Sequence, residues 1–263
     1  MWRVVALLCL TVVVAQADPN DLTDGVFIVH CPPSVDWSCV NMYGGPCEAY
    51  DPCGLGIQTC DEQNPQLPTT VPALWYVVAA WSESKHWCGV EFGFGDYANA
   101  DNVIFVESNS CPPSALAIPT SGWPGPNEGI ALAAYDVDWD GTFRPVYWFA
   151  TYAYYELPSV IQLTANPATG FGGFANCAIP PASYAAVAFG ALGIFADGVP
   201  VCPPEPVPHV CCAWDQCFLV MNEEECHELG GVWHPEWDIC EPNPCFLTPT
   251  GAHSWGTIKS LYR

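Results

Sequence analysis

The most informative spacing of chemical groups in the sequence is the alternating run of Asp136, Asp138 and Asp140, which Gly141 follows. In calcium-binding loops, carboxylates at alternate positions ahead of a glycine supply oxygen ligands to the ion. A complete EF-hand loop also ends in a bidentate glutamate, and at that position this chain has Tyr147. The sequence therefore predicts no cofactor except calcium, which would bind a site with fewer ligands than an EF-hand loop. An acidic hairpin tip is the alternative interpretation.

Groups arranged for catalysis are few. The sequence contains no Gly-x-Ser-x-Gly turn, no His-Glu-x-x-His pair and no glycine loop that would bind phosphate. A glycosidase needs only two carboxyl groups at a suitable separation, and the acidic residues in predicted strands or aromatic-rich loops are Glu83, Glu91, Asp96 and Glu128. Solvated turn and edge carboxylates are the simpler interpretation of these four. His30 and His86, beside a cysteine and a tryptophan, are interpreted as structural.

Charge excludes two classes of partner. The chain has 28 acidic and 5 basic residues, a net charge of −23. Nucleic acids require a basic stripe, and anionic membranes require basic clusters. The hydrophobic fraction of 51% is too high for a disordered chain. The sequence therefore predicts a folded, non-enzymatic protein that acts by binding or as structure. The alternative is a secreted carboxylate-dependent hydrolase of polysaccharide or peptide.

The first seventeen residues have the pattern of a secretory signal peptide. Arg3 precedes an apolar run over residues 4–14, and Ala15-Gln16-Ala17 has the small residues that signal peptidase recognises. The run is shorter than the ~20 residues that span a bilayer. We therefore expect a secreted, periplasmic or cell-surface protein, cleaved near Ala17, with no membrane insertion of the mature chain.

Export determines how the cysteines are interpreted. Of sixteen cysteines, Cys9 leaves with the leader, and fifteen remain. In an oxidising compartment such cysteines form disulfides in preference to zinc sites. The cysteines assigned to disulfides are Cys31, Cys39, Cys47, Cys53, Cys60, Cys88, Cys111, Cys177, Cys211, Cys212, Cys217, Cys226, Cys240 and Cys245. The odd total leaves one thiol over or paired with another chain, and the connectivity stays open.

Strand patterns dominate residues 18–199, for which the sequence predicts a β-sandwich-like domain. The predicted strands cover residues 25–30, 73–82, 90–95, 103–106, 130–137, 142–155, 160–163 and 183–189. Residues 73–82 are apolar on both faces, which is typical of a central strand. Asp140-Gly141 between two apolar runs predicts a hairpin, and a helix over residues 183–196 is the alternative to the last strand. The predicted fold class is all-β, with the sandwich followed by a small disulfide-rich module.

A proline-rich linker, residues 200–208, separates this domain from a cysteine-rich module over residues 209–245. The module's cysteines have the spacing CC-x4-C-x8-C-x13-C-x4-C, with three glutamates ahead of Cys226 and a glycine pair ahead of Trp233. This pattern resembles a short cysteine-rich repeat of secreted proteins from environmental bacteria. The resemblance implies a disulfide-stapled module on an exported protein, and it implies no catalytic residue.

A module of this size cannot bury enough surface to fold without cross-links. Asn222 and Glu225 predict a capping box at the start of a short helix over residues 223–229, and Gly230 predicts its end. The aromatic residues predicted to fill the module are Trp233 and Trp237. The alternative, a zinc site, would use the nearby histidines His209, His227 and His234.

Residues 246–263 are predicted to form a linker and a short amphipathic tail. The tail combines apolar residues at helical spacing with basic residues at its end: Trp255, Ile258, Lys259, Tyr262 and Arg263. It resembles the Trp-Gly-x-Ile-Lys-x-x-Tyr-Arg ending of other exported bacterial proteins. The tail is interpreted either as a frayed end or as a tag for a sorting or attachment partner.

The cysteine count leads to a first prediction. We expect at least six disulfides in the secreted protein, because fifteen cysteines lie in loop-rich sequence that follows an export signal. Mass spectrometry of the unreduced protein, compared with the fully reduced protein, should show a loss of at least twelve hydrogens. A spectrum in which most thiols are free would contradict both the export signal and the disulfide interpretation of the module.

Overall fold

The computed structural model describes residues 21–33, 52–54, 56–134, 139–205, 207–221 and 223–246. Over these residues the protein is almost entirely β, which confirms the predicted fold class. The chain divides into two compact units, one that ends at Pro204 and one that begins at Glu205. No helix in the described ranges is long and apolar enough to cross a bilayer.

The first unit is a sandwich of two sheets. Its strands are β1 (Val26–His30), β2 (Ala73–Trp87), β3 (Gly89–Phe94), β4 (Val103–Ser110), β5 (Leu116–Pro119), β6 (Gly129–Ala133), β7 (Trp139–Ala153), β8 (Ser159–Thr164), β9 (Gly173–Ala175), β10 (Ser183–Ala185), β11 (Ala188–Phe189) and β12 (Ala191–Ile194). The first sheet has the order β11-β1-β2-β7-β4. The second has the order β10-β9-β3-β6-β5, and β8 joins β3 to β12.

Aromatic side chains fill the space between the two sheets. Trp75 of β2 stacks on Phe149 of β7 with ring centroids 4.2 Å apart. Phe27 of β1 stacks on Phe174 of β9, in the other sheet, at 4.6 Å. The buried indole N–H of Trp75 donates to Thr151 Oγ1 at 3.0 Å, so its desolvation is compensated. Large rings in offset contact bury extensive apolar area, which joins the two sheets into one core.

The outer face of the first sheet is also buried. Leu74, Tyr76 and Val78 of β2 point away from the second sheet and are at most 1% exposed. Irregular segments that include Ile57 and Cys53 pack over them. Strand β2 is therefore apolar on both faces because both faces are covered, as its sequence predicts for a central strand.

The predicted hairpin at Asp140-Gly141 is wrong. Strand β6 pairs with β3 and β5 in the second sheet, whereas β7 pairs with β2 and β4 in the first sheet. Asp140 and Gly141 lie inside β7, opposite His86 and Lys85 of β2. The local turn preference of Asp-Gly does not determine the pairing here. The apolar residues of β6 and β7 are buried as parts of different sheets, and this burial determines the strand partners.

Residues 183–196 form short strands, and the alternative of a helix is wrong. Strands β10, β11 and β12 pair with β9, β1 and β8 respectively, so the segment runs along both sheets. The first residues of the predicted linker also belong to the sandwich. Gln63 Nε2 donates to Val201 O at 2.7 Å, and Val201 N–H donates to Gln63 Oε1 at 3.1 Å.

The second unit contains the strands β13 (His209–Ala213), β14 (Gln216–Val220) and β15 (Val232–His234) and the helix α1 (Glu223–Glu228). The helix ends as predicted. Gly230 has a φ of +70°, and its N–H donates to His227 O at 2.9 Å. The Gly231 N–H donates to Cys226 O at 3.0 Å, which completes a Schellman motif. Glu225 Oε2 accepts from Met221 N–H at 2.9 Å, whereas Asn222 lies outside the described residues.

Three disulfides and few apolar side chains form the core of this unit. The disulfides are Cys211–Cys226, Cys212–Cys245 and Cys217–Cys240. Trp233 packs against the buried Cys211, Val220 and Cys226, as predicted. All six sulfurs are thus oxidised, which leaves no thiolate for the alternative zinc site. The predicted histidines contact other groups: His227 lies near Glu223, His234 stacks on Trp237, and His209 meets the Trp233 ring edge-on.

The described part of the sandwich has three further disulfides: Cys53–Cys111, Cys60–Cys202 and Cys88–Cys177. Cys202 is therefore bonded although the sequence did not assign it to a pair. Cys31, which is predicted to be bonded, is a free thiol with 2% of its surface exposed. Its side chain belongs to the core between the sheets, and burial raises its pKa because the thiolate would lose its hydration. Cys39 and Cys47 lie outside the described residues.

The buried histidine of β1 leads to a pH prediction. His30 is 6% exposed and accepts a hydrogen bond at Nδ1 from Asn64 N–H at 3.3 Å. Burial lowers the pKa of His30 below 6.5, and the charge of Glu62 opposes this only in part. Below pH 6.5 the unfolded chain therefore binds a proton that the folded chain does not. The free energy of unfolding should fall as the pH decreases from 7.5 to 5.5.

Urea denaturation at pH 7.5, 6.5 and 5.5 measures this fall. His30→Asn keeps an acceptor near Asn64 N–H but does not titrate, so the fall should be smaller in this variant. His227→Asn, on an exposed side chain of α1, is the matched control and should behave like the unmodified protein. An equal fall in all three proteins would show that His30 does not cause the pH dependence.

Candidate ligand-binding site

The predicted calcium residues are only partly described. Asp136 and Asp138 lie outside the described residues. Asp140 lies at the exposed start of β7, and its Oδ1 is 2.6 Å from His86 Nδ1. The carboxylate of Asp140 is therefore already engaged by a side chain of β2. The calcium site stays a prediction.

A second group with metal-binding atoms lies next to this pair. His86, Cys88 and Cys177 have ligand atoms within 4.8 Å of one another. The two sulfurs, however, form the Cys88–Cys177 disulfide. A disulfide sulfur is a poor ligand compared with a thiolate, so the cluster serves as a cross-link.

The four candidate carboxylates do not come together. Glu83 lies 3.6 Å from Lys85 on β2, and Asp96 is exposed in the loop after β3. Glu128 is half-buried just before β6 and lies close to Gly122. Glu91 lines a cavity, and it is the one charged residue among the described residues that line this cavity.

This cavity lies on the outer face of the second sheet and has a volume of about 400 Å³. Residues opposite each other on neighbouring strands share a face. The register pairs Glu91 with Ala131 and Gly173, and Gly89 with Ala133 and Ala175. The floor beneath the cavity therefore consists of glycines and alanines around one carboxylate. Small side chains leave the space empty.

The wall beside β9 is the loop over residues 176–182. Asn176 holds this loop at its base, because its N–H donates to Ala182 O at 3.0 Å and its Oδ1 accepts from Ala182 N–H at 2.8 Å. Cys177 bonds to Cys88, the residue just before β3. The wall is thus fixed to the floor at one end by a covalent bond. Gly173 is required below it, since a Cβ would overlap Tyr184 O of β10.

Two side chains hold the carboxylate of Glu91 in place. Its Oε1 accepts from Asn166 Nδ2 at 2.9 Å and from Thr169 Oγ1. Asn166 is only 4% exposed, and its Oδ1 accepts from Ala168 N–H at 3.0 Å. The orientation of Glu91 is therefore set by a tight turn after β8. This turn is not among the predicted features, although Asn166-Pro167 is a turn signal in the sequence.

An apolar strip borders the cavity on its other side. Leu116 and Ile118 of the edge strand β5 are 57% and 60% exposed. They pair with Ala133 and Ala131, so they lie on the same face as Glu91. Exposed aliphatic side chains next to one another on a rigid strand are typical of contact surfaces.

Comparisons with known proteins find a weak structural likeness. No family model and no curated protein matches the chain. Similar solved structures include the cohesin module of a Clostridium perfringens family 33 glycoside hydrolase, with a TM-score of 0.37, 13% identity, and coverage of 50% of this chain and 89% of that chain. Another is a non-cellulosomal cohesin of Archaeoglobus fulgidus, with a TM-score of 0.35, 9% identity, and coverage of 49% and 84%.

A third similar structure is the seventh ScaB type I cohesin of Pseudobacteroides cellulosolvens, with a TM-score of 0.31, 11% identity, and coverage of 50% and 88%. At these TM-scores the likeness carries no argument about function. The tail residues from Trp255 to Arg263 lie outside the described residues, so the tag hypothesis stays a prediction.

The geometry around Asp140 leads to a prediction for calcium. We expect millimolar calcium to leave the melting temperature unchanged, because the Asp140 carboxylate is paired with His86. A ligand that binds only the native state would instead raise it. Differential scanning calorimetry with and without calcium measures this. A rise that disappears when Asp136, Asp138 and Asp140 are all replaced by asparagine would establish the calcium site and contradict our expectation.

Proposed function

We propose that the protein is an extracellular binding module and that the cavity on the outer face of the second sheet is its ligand-binding site. The observation that carries the proposal is a cavity of about 400 Å³ with a fixed carboxylate and a disulfide-tethered wall. Ligand sites in proteins are typically pockets of about 300–1,000 Å³ with apolar walls and few polar groups. The walls and floor fit that description.

The six disulfides among the described residues support an extracellular or cell-surface location. Disulfides form and persist in oxidising compartments. The predicted leader over residues 1–17 accounts for how the chain would reach such a compartment. Secretion, a periplasmic location and attachment to the cell surface all agree with these observations.

The alternative, a glycosidase, needs a pair of carboxyl groups that flank the scissile bond. Among the described residues, the cavity supplies Glu91 and no second carboxylate. The other candidate carboxylates lie elsewhere. The geometry of the cavity therefore favours binding over hydrolysis.

A variant that fills the cavity tests this proposal. Ala131→Leu places a larger side chain on the floor opposite Glu91. In ¹H–¹⁵N spectra, a panel of acetyl amino-acid methylamides and methyl glycosides should shift the amide signals of Gly89, Ala133 and Gly173. We expect Ala131→Leu to abolish these shifts, because the volume that the probe occupies is gone.

Ala117→Leu is the matched control, since Ala117 is exposed on β5 and does not line the cavity. It should bind the probes as the unmodified protein does. Two results would overturn the proposal: shifts that persist in Ala131→Leu, or a panel that shifts no cavity signal. Release of nitrophenol from nitrophenyl glycosides, lost in Glu91→Gln, would favour the hydrolase instead.

A further inference from the structure

One of the two carboxylate oxygens of Glu91 is available to bind a ligand. Asn166 and Thr169 both donate to Oε1 of Glu91. Among the described residues, none donates a hydrogen bond to Oε2 of Glu91. A carboxylate offers about four lone-pair sites. Glu91 can therefore accept hydrogen bonds from a ligand without giving up the contacts that hold it.

Among the described residues, no lysine or arginine supplies a cation to this oxygen. Lys85 and Arg144 are the two that the structure describes, and neither lines the cavity. Lys85 lies 3.6 Å from Glu83 on β2. Because the whole chain has a net charge of −23, a negatively charged ligand would be repelled. A positively charged ligand would instead be attracted and would complement the charge of Glu91.

The lining of the cavity suits the stem of a basic side chain. Lysine and arginine bury their methylene groups against apolar surface while the charged end keeps polar contacts. Here Ala131, Phe171 and Pro181 are among the residues that surround the space next to Glu91. A charge-assisted hydrogen bond to a fixed carboxylate is stronger than a neutral one.

The apolar strip indicates that the ligand extends beyond the cavity. Ile118 pairs with Ala131, which pairs with Glu91, so the three lie in one row across the sheet. Two strand spacings separate Ile118 from Glu91, which is about 10 Å. A protein segment can place a basic side chain at Glu91 and an apolar side chain on Leu116 or Ile118 at once. A small free amine cannot reach both.

We infer that the cavity binds a lysine or arginine side chain of a partner protein segment, whose neighbouring apolar residue packs on Leu116 and Ile118. This inference rests on the proposed function and adds the class of ligand. Glu91 confers the selectivity for positive charge. Leu116 and Ile118 supply affinity for the flanking residue.

The test compares two capped peptides, acetyl-Ala-Ala-Lys-Ala-Leu-amide and the same peptide with norleucine in place of lysine. Their affinities are measured by the shifts of the Gly89, Ala133 and Gly173 amide signals. The lysine peptide should bind the unmodified protein at least tenfold more tightly, because its side-chain ammonium group can donate to Oε2 whereas the norleucine side chain cannot. Glu91→Gln should remove this preference, since it keeps an acceptor for Asn166 and Thr169 but has no charge.

Glu156→Gln, an exposed carboxylate away from the cavity, is the control and should keep the preference. The unliganded cavity signals and melting temperature of Glu91→Gln establish that the site is intact. Equal binding of both peptides, lost in Ala131→Leu, would overturn the selectivity and leave the binding site standing. Binding of either peptide that Ala131→Leu does not change would overturn the proposed function itself.

A third probe tests the size of the ligand. Acetyl-lysine methylamide carries the same charge as the lysine peptide but cannot reach the apolar strip. It should bind at least tenfold more weakly than the peptide, and Ile118→Ser should reduce the affinity for the peptide alone. Equal affinity for both compounds would show that the ligand is a small amine and overturn the protein partner.

Discussion

The structure of the first unit depends on burying both faces of β2. One face packs its aromatic residues against the second sheet. The other face, with Leu74, Tyr76 and Val78, is covered by loops that have no apolar periodicity of their own. Such loops gain too little from burial to hold their conformation. The Cys53–Cys111 and Cys60–Cys202 disulfides attach these loops to the rest of the unit. The loops that cover the outer face of β2 therefore depend on disulfide formation to keep their folded conformation.

The second sheet differs because only its inner face is needed for the core. Its outer face is free to carry small residues, and that freedom produces the cavity. The connection from β2 to β3 passes from the first sheet to the second. Cys88 lies in this connection, and its bond to Cys177 fixes the cavity wall. A rigid wall lowers the entropic cost of ligand binding, so the cross-link that stabilises the crossing also preorganises the site.

The longer strands of the sandwich could be predicted from the sequence, because β-branched and aromatic runs between turn residues favour strands wherever they pair. The short strands β5 and β9 were not predicted. Strand partners could not be predicted. The Asp140-Gly141 signal is local, whereas the assignment of β6 and β7 to different sheets follows from which residues fill the core. Cysteine pairing, which the sequence leaves open, could not be predicted for the same reason, since Cys60 and Cys202 are 142 residues apart. Glu91 could be named as a candidate, but the residues that orient it, Asn166 and Thr169, are brought to it only by the fold.

The acidic composition and the single carboxylate of the cavity act over different distances. The net charge of −23 raises the concentration of any cation near the surface, and salt screens this attraction beyond about 10 Å at 0.1 M. Glu91 acts on a ligand at hydrogen-bond distance. At that distance salt screens the attraction between the charges less, and the strength of the interaction depends on the hydrogen-bond geometry. Replacement of exposed carboxylates by neutral residues should therefore change only the rate at which a positively charged ligand encounters the protein. Discrimination between a basic and a neutral side chain depends on Glu91 in the cavity, whose Oε2 has no hydrogen-bond partner among the described residues.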